Sequence, residues 1–273
     1  MDKNMDLILK LRMLLTHYKH NSTIPKVSFF DNFVKGYADS DKVIRDLYNN
    51  NLINDYELSL LNTLKLTTLK PSCGSPDEVV LYLKDRNIVA LTLEMYNNSN
   101  GLDELLYYIN SNVKPRKRSD LEYNTKCLQI IPYINVVYKG ETLLLKKIKD
   151  GDRTKGKYDF PAGHWSVTDK TIQDCIRKEL FEELGIDQYK IKSSIFRGAI
   201  PLSNDIFSVS YYHLGLIYTV TLHDDAEIFN AEPEKHQISY LSELTVEDIC
   251  KFDNWLVYSL NKIKEEDYEK FED

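Results

Sequence analysis

The chain is short of several things, and each shortage closes off a class of protein. It has no CxxC pair: Cys73, Cys127, Cys175 and Cys250 stand far apart, without the spacing of a zinc site or the density of a disulfide framework. That usage fits reduced thiols in a cytoplasmic protein. No apolar run approaches the ~18 residues of a membrane span. The stretch from Leu7 to Leu15 is interrupted by Lys10 and Arg12 and reads as an amphipathic helix. The opening Met1-Asp2-Lys3-Asn4-Met5-Asp6 lacks the basic-then-apolar order of a signal peptide. There is no excess of positive charge. With 35 Lys+Arg against 42 Asp+Glu the net charge is −7, which argues against a general nucleic-acid surface and leaves room for a local basic groove. Internal repeats and long low-complexity tracts are missing too.

What is present is a globular composition, 42% hydrophobic and 28% charged over 273 residues, enough for two domains with cores of their own. Residues 1–113 read as a mainly helical accessory domain. Leu7, Ile8, Leu11, Leu14 and Leu15 recur at helical spacing, and residues 29–34, 43–48 and 55–64 give shorter helical candidates. Ser75-Pro76-Asp77-Glu78 has the form of a helix start, with Ser75 as cap and Pro76 in the first position. Ile88-Val89-Ala90 fits either strand or helix, and Gly101-Leu102-Asp103 leads into a helix carrying Leu105, Leu106 and Ile109. Residues 114–125 are polar and open on Lys114-Pro115-Arg116-Lys117-Arg118, which predicts a linker, either a solvated hinge or a basic patch beside a phosphate-bearing substrate.

From Cys127 the pattern changes. Residues 128–138 are β-branched and aromatic, Lys139-Gly140 supplies a turn, and residues 142–148 form a second strand of a hairpin. Residues 208–220 predict a long strand, on which Tyr211, Tyr212 and His213 either stack on a base or serve the core. Strands mixed with a few helices predict an α/β (α+β) domain over 126–264, followed by an acidic tail, 265–273.

The segment that carries chemistry runs from Phe160-Pro161-Ala162-Gly163-His164-Trp165 to Gly185. Residues 171–184 contain neither glycine nor proline and predict a helix, with Gly185 in the left-handed position past its end and Ile186 packing back. Glu179, Glu182 and Glu183 stand at i, i+3 and i+4 and share a face, beside a docking stripe of Ile176, Leu180 and Leu184. Three clustered carboxylates are either a solvated acidic face or the oxygen ligands of a hard cation such as Mg2+ or Mn2+. His164 and Trp165, following the loop glycine, either touch substrate or pack.

This segment resembles the Nudix box. Glu179-Leu180-Phe181-Glu182-Glu183-Leu184-Gly185-Ile186 matches the helix end of that family's motif at each defined position, and Phe160-Pro161-Ala162-Gly163 matches the preceding run with alanine for one glycine. The likeness extends over roughly residues 126–262. Two positions depart from the pattern. Lys178 stands where the family has arginine, with Arg177 adjacent. The earlier family glutamate falls on Asp169 counted from Gly163, or on Lys170 counted back from Lys178.

The resemblance implies an α/β/α sandwich and a metal-dependent hydrolase that cuts the pyrophosphate bond of a nucleoside diphosphate linked to another group, with capped RNA ends among the family's substrates. It implies Glu179, Glu182 and Glu183 as metal ligands and catalytic carboxylates, the Gly163 carbonyl as a further ligand, and Glu232 as a distal carboxylate with Glu234 as its rival. Lys146 and Lys147 would meet substrate phosphates, though on an alternating strand only one can point inward. The alternative is a catalytically weak or inactive, nucleotide-binding sensor or regulator.

Overall fold

The structure is a computed structural model, which describes residues 77–269 apart from 99, 122–123, 150–153 and 204–208, together with scattered positions between 45 and 58. Apart from single positions, the helices expected over 7–15, 29–34, 43–48 and 55–64 lie outside the described residues.

The described chain is an α/β/α sandwich around one eight-stranded sheet. Its strands are β1 (Val79–Lys84), β2 (Lys114–Lys117), β3 (Cys127–Tyr138), β4 (Glu141–Lys147), β5 (Tyr158–Asp159), β6 (Ile191–Ala199), β7 (His213–Leu222) and β8 (His236–Tyr240). The longer helices are α1 (Arg86–Tyr96), α2 (Leu102–Asn112), α3 (Ile172–Leu184) and α4 (Asn254–Glu269). Strict alternation along β3 divides its side chains between the two layers. Leu128, Ile130, Ile134 and Val136 meet α1, α2 and α3 in one buried cluster. Tyr133 faces the other way, into a cluster with Leu256 and Ile263 of α4.

The β3–β4 hairpin forms as its sequence predicts, because Lys139 (φ 51°) and Gly140 (φ 82°) supply the two left-handed residues that match strand twist. On its other edge β3 pairs in parallel with β7, from Gln129 opposite His213 to Val137 opposite Thr221. The long strand expected over 208–220 begins later, at His213, after a short 3-10 turn over Val209–Tyr212.

Three expectations for the N-terminal side are corrected. Residues 77–78 lead into a strand, not a helix: β1 pairs antiparallel with both β2 and β3. The segment 114–125 is no free linker, because Lys114–Lys117 is the exposed edge strand beside β1 and Arg118–Leu121 a helical turn with Leu121 buried. The boundary at 113 therefore cuts through one body. Leu83 of β1, Val89 and Leu93 of α1, and Leu105 and Ile109 of α2 are buried in the same cluster as α3. The polarity of 114–118 marks a sheet edge, which solvent and charge protect as they do a hinge. No helix among the described residues is long and apolar enough to cross a membrane.

Along one edge of β3, β1 pairs with its first residues and β4 with its last, leaving a fork between them. Residues 161–166 fill that fork. Ile134 N donates to Pro161 O (2.9 Å), Trp165 N to Ile130 O (3.1 Å), and Leu81 N to Trp165 O (2.7 Å). The glycine loop is thus held by the sheet on both sides.

Candidate active site

Helix α3 begins with a capping box. Thr171 Oγ1 accepts from Asp174 N (3.2 Å) while the Asp174 carboxylate accepts from Thr171 N (3.0 Å). It ends as predicted at Gly185, φ 63°, with Gly185 N donating to Phe181 O and Ile186 N to Leu180 O. Ile176, Leu180 and Leu184 are buried, so the helix cannot rotate, and its neighbouring face is fixed toward the glycine loop.

On that face Glu179 and Glu183 are both 8% exposed, whereas Glu182 lies on the exposed rim. Glu183 Oε2 accepts from Ala162 N (3.2 Å). Burial pushes the Glu183 carboxyl up to about 8, against the pull of the nearby Lys147 ammonium. Burial also raises Glu179, opposed by Lys178, whose Nζ lies 3.2 Å from Glu179 Oε1. Burial pulls the Lys178 ammonium down, but Glu179, Glu182 and Asp169 outweigh it and hold its affinity for the proton above the usual range. A β-carbon at Gly163 would fall 2.0 Å from Glu179 Cδ, so only glycine leaves room for this carboxylate.

The free carbonyls at the end of α3 hold the turn that brings in the distal carboxylate. Glu183 O accepts from Ala231 N (3.2 Å) and lies 3.2 Å from His236 Nε2, and Leu184 O accepts from Phe229 N (3.1 Å). Glu232 is thereby carried to Glu183, while Glu234 stays exposed. A carboxylate oxygen each from Glu183 and Glu232 and a ring nitrogen of His236 lie within 4.8 Å of one another. Lys147 pairs in register with His236 and shares its face; Lys146, on the opposite face, sets its ammonium over the Tyr158 ring at 5.2 Å. Buried carboxylates, with the Glu183 carboxyl pushed up by burial, are the donor set that a hard divalent cation fits, since a cation offsets the cost of ionising them.

Residues 133–256 match the family model described as the NUDIX domain. This part of the chain is a NUDIX domain. The Bacillus subtilis (strain 168) protein YmaB is 24% identical over 200 residues, which cover 67% of this chain and 95% of YmaB. The solved structure of Tm1382, a proposed Nudix hydrolase, superposes with a TM-score of 0.50 at 19% identity, covering 67% of this chain and 97% of Tm1382. At that identity the likeness is one of fold. Both matches are longer than the NUDIX domain itself, in keeping with the single body that joins β1, α1 and α2 to it.

Within the NUDIX domain the two departures from the box meet. Asp169 is 9% exposed, accepts from Ser166 N (3.0 Å) and lies among the charges that act on Glu179 and Lys178, whereas Lys170 is exposed. Counting from Gly163 therefore gives the residue that faces the helix. Arg177 points away and pairs with Asp174 (2.9 Å).

The residues flanking the glycine divide. Trp165, expected at the substrate, is 5% exposed in the core and donates from Nε1 to Asp169 O (3.4 Å), which corrects that assignment. His164 lies with its Nε2 3.2 Å from His213 Nε2, and burial, followed by His213, Arg118 and Lys178, holds it well below the usual histidine range. Tyr212 and His213 are buried, and Tyr211 carries the Arg86 guanidinium 3.9 Å over its ring, so none of the three stands free to stack on a base.

Sequence reasoning missed His236 and the pairing of Lys235 with Glu232. The available signal was spacing. Glu232 and His236 are four apart, and one turn, closed by His236 N to Glu232 O (3.3 Å), brings them together.

Proposed function

We propose that this chain is a metal-dependent Nudix pyrophosphohydrolase, cleaving the phosphoanhydride bond of a nucleoside diphosphate linked to another group. The observation that carries the reading is the buried pair Glu179 and Glu183, one helical turn apart beneath the 161–163 loop, with Glu232 brought alongside. Glu179, Glu183 and Glu232 hold the cation, Glu182 on the rim adds a fourth carboxylate, and the Gly163 carbonyl completes the oxygen set. A divalent cation there, Mg2+ or Mn2+, would supply charge neutralisation at the phosphate oxygens and lower the pKa of an attacking water. Glu182, exposed to solvent, takes that water's proton. Lys147, facing the Glu183 carboxylate, orients a phosphate; Lys146 does not.

The test is incubation of the purified protein with Mg2+ or Mn2+ and a panel of nucleotide sugars, dinucleoside polyphosphates, ADP-ribose, nucleoside triphosphates and capped RNA ends, beside Glu182→Gln and Glu183→Gln. Cleavage by the wild type, lost by orders of magnitude in the variants, supports the reading, and the preferred panel member identifies the attached group. A second reading, a nucleotide sensor without turnover, is favoured by one observation: the Lys178 ammonium already neutralises Glu179. No cleavage with either metal, together with a melting temperature raised by a nucleotide, would establish it.

A further inference from the structure

We infer that His236 is a metal ligand through Nδ1, so that the position shared with Glu183 and Glu232 takes a first-row transition dication in preference to Mg2+. The inference rests on the metal-dependent reading of this site and adds to it a ligand and a selectivity.

Three observations carry it. First, the donors come from three separately anchored pieces: Glu183 from α3, Glu232 from the turn docked on the end of α3, and His236 from the first residue of β8. A carboxylate oxygen from each glutamate and one ring nitrogen of His236 lie within 4.8 Å of one another, a separation that an ion bonded at roughly 2.0–2.4 Å to each can span. Secondly, His236 Nε2 lies 3.2 Å from the Glu183 main-chain oxygen. A carbonyl only accepts, so Nε2 carries the hydrogen and Nδ1 keeps the lone pair. A ligating histidine is typically oriented in this way, its second nitrogen donating to a carbonyl or carboxylate that fixes tautomer and ring plane. Thirdly, His236 is 1% exposed, so packing holds its ring in that orientation beside the two carboxylates.

Lys235 pairs with Glu232, and the Lys147 ammonium acts on Glu183, so two lysines supply the positive charge that a dication would bring. The selectivity follows from the imidazole. Mg2+ prefers six oxygens and holds its waters tightly, whereas affinity for a nitrogen-containing site rises along the series from Mn2+ to Co2+ and beyond.

The experiment uses the full chain, freed of metal, titrated with Co2+, Mn2+ and Mg2+ in the absence of any substrate. Co2+ binding is followed by visible absorption, Mn2+ and Mg2+ by calorimetry. Wild type is expected to bind Co2+ at least about tenfold more tightly than Mn2+, and Mn2+ more tightly than Mg2+. His236→Gln should lose about tenfold or more for Co2+ while Mg2+ affinity shifts by less than about threefold. In the Co2+ complex, proton NMR in water should show a paramagnetically shifted, slowly exchanging Nε2–H line, protected by the Glu183 carbonyl and missing in His236→Gln. If that variant fails to fold, Glu232→Gln serves instead: it should weaken all three metals and remove the same line. Equal affinities for Co2+ and Mg2+ in the wild type, or no shifted imidazole proton, overturns the inference. Because no readout uses turnover, a shifted line without cleavage of any phosphoanhydride sinks the hydrolase reading alone. Cleavage with Mg2+ and no shifted line sinks only this inference.

Discussion

Gly163 and Glu179 share one small space: a β-carbon on the glycine would lie 2.0 Å from the glutamate's carboxyl carbon and 2.2 Å from each of its oxygens. The atoms in the way are the far end of a flexible side chain, so Gly163→Ala displaces the carboxylate and leaves the backbone in place. Turnover should fall about 10- to 100-fold, with the melting temperature changed by no more than about 2 °C. Kinetics beside a thermal melt decide it. Full activity in the alanine variant would show that Glu179 is not needed where it stands.

The buried Glu183 gives a pH signature. Its folded pKa, about 8, lies above the ordinary 4.5, so the fold keeps a proton that the unfolded chain releases. The sign follows: stability of the metal-free protein falls as pH rises from 4.5 to 8, since the folded state binds more protons in that window. Asp159, pushed up to about 6 by burial, contributes the same sign over the lower part of the range. Comparing wild type with Glu183→Gln in chelator from pH 5 to 9 isolates Glu183. The variant should show a shallower decline, and a divalent cation should flatten the wild-type curve. Parallel curves would remove the buried charge from the account.

Lys146 and Lys147 are adjacent in sequence and opposite in direction. Lys147→Ala should raise KM for a cleaved substrate about tenfold, because a charge-assisted phosphate contact is lost. Lys146→Ala, which removes only an ammonium over the Tyr158 ring, should change KM less than twofold. Equal effects of the two substitutions would contradict the strand register Lys147–His236.

A chain shortened to residues 126–273 tests where the folded body begins. It lacks Leu83, Val89, Leu93, Leu105 and Ile109, all buried against α3 and β3. At roughly 1.5–3 kcal/mol for each buried side chain, their loss is of the order of a domain's whole stability. The shortened chain should give no cooperative melt where the full chain does. A normal melt would restore a boundary near residue 125.

The sequence by itself determined the parts whose physics is local. The span and ends of α3 follow from Thr171, Asp174 and Gly185, and its docked and acidic faces from residues three and four apart. The β3–β4 hairpin follows from alternation and Lys139-Gly140. These were legible because helix caps, turns and periodicities depend on neighbours within a few residues. Tertiary structure decided the rest. It turned Lys147 rather than Lys146 to the face of His236, placed Asp169 rather than Lys170 beside the helix, sent Trp165 to the core, seated His236 against Glu183, and recruited β1, α1 and α2 into the sandwich. Each of those depends on strand register or on one segment docking against another far away in the chain. A single-residue slip in register reverses every side chain, and a polar edge strand such as Lys114–Lys117 carries the same composition as a linker.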